Sequence, residues 1–276
     1  NYSAALVAAA RSPAAGLPPA LIPTIIAAPP PGLESNARVK GDDSAWGWNV
    51  GVLWDVTPQT RVGAAYRSSI KYNVSANVNF DNPAVPTLPP ALAPVFGLLA
   101  NGVNGQLQNG GVKADIELPD IANVSVFSRL DDKWDLMADV QFTRWSTFKE
   151  LKFVRTSGGL LSNTPENFDD AWRISVGATY HWNDAWSFRG GLAWDQTPTN
   201  TPDRTPRLPD EDRYWIAVGA QYKFSRNLAL DAGLTYIPIK SPSISQNAGS
   251  TAANGLIKGS YDANVTVISA QVTYTF

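Results

Sequence analysis

The chain has 276 residues, a formal net charge of −2 and no cysteine. Disulfides, thiol chemistry and Cys-based metal sites are thereby excluded, and no basic run marks a nucleic-acid surface. No window of about 18 apolar residues occurs, which excludes a helical membrane span, while ten Trp, nine Tyr and ten Phe form an aromatic load suited to interfacial girdles.

Residues 1–32 read as a Pro-rich external loop region that is unusually apolar, with Leu21, Ile22, Ile25 and Ile26. From residue 33 onward the chain reads as strands. In the first, running roughly Leu33–Val56, Trp48, Val50, Val52, Trp54 and Val56 alternate with Asn49, Gly51, Leu53 and Asp55. From Val62 to Phe80 the even positions are mostly apolar, and the odd ones include Arg67, Ser69, Lys71, Asn73 and Asn77. A side-chain period of two is the mark of a strand with two unlike faces. Residues 81–113 form a long apolar external loop, in which Leu92, Val95, Phe96, Leu98 and Leu99 fall at near-helical spacing.

Trp134, Leu136, Ala138, Val140 and Phe142 oppose Asp135, Asp139, Gln141 and Thr143. Next, Trp172, Ile174, Val176, Ala178, Tyr180 and Trp182 oppose Arg173, Ser175, Gly177, Thr179 and His181. The two tryptophans bounding that apolar face lie roughly 25 Å apart along a tilted strand, the height of a barrel's lipid-facing band. Tyr214–Phe224 repeats the pattern, and Ile268–Phe276 closes the chain with it. Between Tyr261 and Val267 the phase flips, which predicts a bulge or an apolar patch on the inner wall.

Short turns at 57–60, 130–133, 183–185 and 225–227 alternate with long connections at 81–113, 156–166, 197–209 and 241–259. That is how the two ends of an outer-membrane barrel differ. The reading is all-β: an antiparallel transmembrane β-barrel segment of about nine strands. Bacterial barrels use even strand numbers, so earlier strands are expected upstream of Asn1, and the sheet is expected to end at the strands near 33–56 and 261–276.

No catalytic constellation emerges. His181 is the only histidine, so His-pair metal sites are excluded and a Ser-His-Asp site would have to use it; beside a short turn it reads as a polar rim residue. No metal site or cofactor is expected. The acidic groups Asp42-Asp43, Asp169-Asp170 and Asp210-Glu211-Asp212 read as a solvated rim or partners of Arg207 and Arg213. Inward charges, among them Arg129, Asp139, Arg173, Arg189, Asp195, Lys223 and Asp231, are expected to pair across strands. Arg67 and Lys71 stand out because no acid shares their strand face.

Several segments carry a family resemblance: KGDDSAWGWNVGVLWD (40–55), AYRSSIKYNV (65–74), WDLMADVQFTRWSTFKELK (134–152), NFDDAWRISVGATYHWNDAW (167–186) and RLPDEDRYWIAVGAQYKF (207–224). Together they resemble the long-chain fatty acid transporter family of Gram-negative outer membranes, with its aromatic-hydrocarbon channel relatives. The resemblance implies a 14-stranded barrel with an N-terminal plug, located in the outer membrane and monomeric when complete. It also implies lateral delivery of substrate through the wall and a first capture site on two apolar external loops, here 1–32 and 81–113. The implied partners are hydrophobic small molecules, outer-membrane lipid and lipopolysaccharide, with no nucleic acid.

The expected activity is passive uptake of fatty acids or hydrocarbons; a structural or adhesive barrel is the alternative, which the greasy loops disfavour. The expected ligand contacts are Leu21, Ile22, Ile25, Ile26, Leu92, Val95, Phe96 and Leu99 for the apolar chain, with Arg67 and Lys71 for a carboxylate.

Overall fold

The computed structural model describes residues 6, 9–11, 22–23, 34–83, 93–246 and 257–276. In chain order the elements are β1 (Asn36–Asp42), β2 (Asn49–Asp55), β3 (Thr60–Arg67), β4 (Ile70–Asp81), helix α1 (Ala93–Gln106), β5 (Gly110–Leu118), β6 (Ile121–Arg129), β7 (Trp134–Thr143), β8 (Glu150–Arg155) and β9 (Leu160–Pro165). There follow β10 (Ala171–His181), β11 (Trp186–Asp195), β12 (Arg213–Lys223), β13 (Leu228–Pro238), β14 (Ser243–Gln246), β15 (Ile257–Ser260) and β16 (Asn264–Tyr274). No helix among the described residues is long and apolar enough to cross a membrane.

Nine strands form one antiparallel meander in the order β2-β3-β6-β7-β10-β11-β12-β13-β16. The count agrees with the alternation in the sequence, and β2 and β16 are the two end strands, as expected. Four tight turns lie at one end and share one device. Thr57 Oγ1, Asp131 Oδ1, Asn183 Oδ1 and Ser225 Oγ each accept the backbone N–H groups two and three residues on, at 2.8–3.2 Å. These are Asx and ST turns, in which a short polar side chain satisfies donors that the ladder leaves free.

The apolar face is the exposed one: Trp172, Trp182, Tyr214 and Phe224 are 45–64% exposed, whereas Asp135, Thr179 and Ser187 on the other face are buried. A soluble sandwich would bury the apolar set; an outer-membrane wall turns it outward. At the tight-turn end, neighbouring rings of Trp134, Tyr180, Trp182, Phe188, Trp186, Tyr222 and Phe224 lie 4.7–6.4 Å apart in one girdle. The phase flip, which runs into the start of β16, has no bulge behind it. β16 pairs with β13 without a register shift, setting Val265 opposite Ile237 and Val267 opposite Thr235, so the flip is an apolar patch on the inner face.

At the long-loop end a second sheet, β1-β4-β5-β8-β9, stands beyond the first. This corrects two expectations. The strand expected over 33–56 is two strands in two sheets, and the one expected over 62–80 is broken at Ser68–Ser69. Pro119, which has no N–H to donate, marks the matching break between β5 and β6. Beyond the breaks the burial inverts: Ala76, Val78 and Val112 are buried with Val74, Phe80, Phe153 and Leu161 packed on them, and the polar face of β4 is exposed. Arg155 ties α1 to this sheet, donating to the carbonyls of Gln106 at 2.5 Å and Gln108 at 2.9 Å. A cation on the last carbonyls of a helix satisfies its orphan acceptors and suits its dipole.

Candidate functional site

Where the two sheets meet, the inner face encloses a cavity of about 580 Å³. Two adjacent rows of inward residues form its wall. In one, Arg67 pairs with Ile121, Ile121 with Thr143 and Thr143 with Ala171, crossing β3, β6, β7 and β10. In the next, Gln141 pairs with Arg173, Arg173 with Asp195 and Asp195 with Arg213, crossing β7, β10, β11 and β12. Loop and outer-sheet residues add an apolar lining, chiefly Ile70, Leu118, Trp145, Phe168 and Leu208.

The three arginines of the cavity differ. Arg213 is neutralised, with Nε 3.4 Å from Asp195 and Nη2 3.2 Å from Asp210; Asp210 also accepts the Thr197 hydroxyl at 2.7 Å. Arg173 lies over the Trp215 ring, 5.1 Å from its centre, and has no carboxylate partner among the described residues. Arg67 has neither an ion pair nor a side-chain hydrogen bond among the described residues. Asp139, on a neighbouring strand, accepts from Asn123 instead, at 2.7 Å. Two cations without counter-ions thus border an apolar space, an arrangement complementary to an amphiphile with an anionic head. Arg holds carboxylates bidentately, and each apolar side chain covered by a ligand contributes about 1.5–3 kcal/mol.

Of the residues expected to bind ligand, Arg67 lines the cavity and Lys71 does not. The break at Ser68–Ser69 moves Lys71 onto the exposed face of the outer sheet, where its Nζ lies 3.4 Å from Glu117. Leu99 is buried on α1, together with Ala100 and Val103, and is not among the cavity residues. Ile22 is half-buried. Leu21, Ile25, Ile26 and Leu92 lie outside the described residues, as do the side chains of Val95 and Phe96.

Other inward charges brace the wall, whereas Lys223, expected to pair, is exposed and has no ion pair among the described residues. Arg189 pairs with Asp231 at 2.7 Å, and Gln221 donates to the same carboxylate at 2.9 Å. His181 connects Asp135, 2.8 Å from Nε2, with Ser187, 3.1 Å from Nδ1. The residue types are those of a hydrolytic triad, but Ser187 is buried, Asp135 also holds Arg129 at 3.2 Å, and none of the three lines the cavity. The array links β6, β7, β10 and β11 in one polar network.

Strands with an outward apolar face, a girdle of rings and an amphiphilic cavity on the inner side define the wall of an outer-membrane β-protein. The chain belongs to the outer membrane protein transport family (OMPP1/FadL/TodX), whose family model matches residues 4–276. It is 33% identical over 226 residues to the long-chain fatty acid transport protein of Escherichia coli K12, covering 80% of this chain and 48% of that protein. It is 31% identical to the 47 kDa outer membrane protein of Pasteurella multocida over 73% of this chain and 45% of that one. Among solved structures, a Pseudomonas aeruginosa FadL homologue superposes with a TM-score of 0.72 at 25% identity, over 86% of this chain and 54% of that one. The Pseudomonas putida toluene transporter TodX shares the fold, with a TM-score of 0.53 at 14% identity over 92% and 57% of the two chains. The chain spans about half the length of the curated relatives it matches.

Proposed function

We propose that this chain supplies part of the wall and an outer ligand station of a channel for passive uptake of hydrophobic compounds, with long-chain carboxylates as the substrates its cavity fits best. The observation carrying this reading is the pair Arg67 and Arg173, both without an ion pair among the described residues and both beside an apolar lining. Arg67 is exposed and Arg173 half-buried, and a fatty carboxylate, held bidentately, supplies each with a partner that the wall does not. The protein performs no covalent chemistry in this account. The wall is part of a 14-stranded barrel, monomeric in the outer membrane among lipid and lipopolysaccharide. The loops 1–32 and 81–113 gather substrate ahead of the cavity.

The test is uptake into cells or liposomes by the protein at its full natural length. Arg67→Gln reduces fatty acid uptake several-fold and leaves uptake of a neutral aromatic hydrocarbon unchanged. Equal loss of both substrates rejects the head-group role.

A further inference from the structure

Asp120 stands at the seam between the two sheets, between Pro119 and the first residue of β6. It is 9% exposed, so its carboxylate requires compensating partners. It has three contacts. Oδ1 accepts from Arg144 Nε at 2.7 Å, Oδ2 accepts from the Tyr66 hydroxyl at 3.1 Å, and its backbone carbonyl accepts from the Arg144 N–H at 3.1 Å.

Each residue in this clamp is the chain neighbour of a cavity residue. Tyr66 precedes Arg67, Asp120 precedes Ile121, and Arg144 follows Thr143. Arg67, Ile121 and Thr143 form one cross-strand row. They are also where β3 ends, β6 begins and β7 ends, so beyond the row the backbone pairing across these strands is down to Arg144 N–H to the Asp120 carbonyl and Ser68 N–H to the Trp48 carbonyl. Successive side chains of a strand point to opposite faces. The clamp therefore works from the outward side of the wall, while the row it fixes faces the cavity.

We infer that Asp120 is a positioning residue: without touching ligand, it holds the Arg67–Ile121–Thr143 row in the register that places the Arg67 guanidinium at the cavity. The inference rests on the proposed ligand station for its functional meaning, and on the clamp geometry alone for its structural content.

The test uses spin labels at Ser69→Cys and Lys149→Cys, outside the clamp, in the protein at full natural length in detergent. Asp120→Ala broadens the inter-label distance distribution. Asp231→Ala, which removes a comparable braced carboxylate near the tight turns, leaves it narrow. Asp120→Asn, still able to accept from one partner, falls between, and carries the test should Asp120→Ala not fold. An unchanged distribution in the Asp120 variants overturns the inference, and so does equal broadening in Asp231→Ala. Titration of a fluorescent fatty acid on the same variants separates the two claims. With the distribution broadened, affinity about tenfold weaker supports both. Broadening with unchanged affinity keeps the clamp and rejects the cavity as the ligand station.

Discussion

Arg173 is held face-on to Trp215, its guanidinium carbon 5.1 Å from the ring centre. Cation–π contact orients the side chain without neutralising it, so the charge stays available to an incoming anion. Arg213, two strands further on, is ion-paired with Asp195 and Asp210. Arg173→Gln therefore weakens fatty carboxylate binding about tenfold, or ~1.4 kcal/mol, near the lower end of what a charge-assisted hydrogen bond contributes. Trp215→Leu weakens it less, because the charge remains. Fluorescent fatty acid titration measures both; equal effects of the two variants would contradict the division of roles.

Arg204 is 3% exposed in the loop between β11 and β12. It donates to Glu211 and to the carbonyl of Ser243, both at 2.8 Å. Arg204→Ala leaves Glu211 mostly buried and unpaired, which costs about 3 kcal/mol of local stability. Hydrogen exchange of amides 196–212 accelerates accordingly, while exchange in β10 and β11 is unchanged. Protection of the loop at the original level would show that Arg204 is dispensable.

Burial raises the pKa of Glu166, beyond the end of β9; Asp203 adds to the rise and Arg207 opposes it. A raised carboxyl pKa means that the folded state binds its proton more tightly than the unfolded chain does. The burial penalty is absent while both states are protonated and grows as pH climbs from the usual glutamate range through the raised value. Resistance of the 156–170 segment to proteolysis therefore falls as pH climbs through that same interval, from the usual glutamate range through the raised value, and Glu166→Gln removes that slope. A slope that survives in the Gln variant assigns it to another group.

His181→Ala deprives Asp135 and Ser187 of one partner each. The expected loss is about 1–3 kcal/mol of unfolding free energy, with fatty acid affinity unchanged. Ser187 should not react with a serine-directed phosphonate. Labelling of Ser187, abolished in His181→Ala, would replace the bracing role with a nucleophilic one.

The membrane-spanning strands were readable because their alternation is strict. Trp172 through Trp182 keeps one apolar and one polar or small face without exception, and the Asx and ST turns carry their own sequence signature. The outer sheet was less readable. The same alternation runs from Val62 to Phe80 across a break, and a period of two does not reveal that Val62 and Val78 belong to different sheets, the first half-buried on the outward face and the second buried in the core of the outer sheet. Lys71 was misplaced for that reason. Arg67 stands out in the sequence because its own strand face carries no acid, and it lines the cavity. Arg173 sat unnoticed among inward charges expected to pair, since which acid takes which arginine depends on register: Asp195 lies between Arg173 and Arg213 and turns to the latter. Asp120 gave no pattern at all, because its partners are 54 and 24 residues away.

The most direct measurement is a crystal structure of the full-length protein with a terminally brominated long-chain fatty acid, located by anomalous scattering. Bromine density is expected in or beside the cavity lined by Ile70, Leu118 and Phe168, with the carboxylate within hydrogen-bonding distance of Arg67 or Arg173. Bromine sites confined to other parts of the molecule, with both guanidiniums unoccupied by ligand, would contradict it.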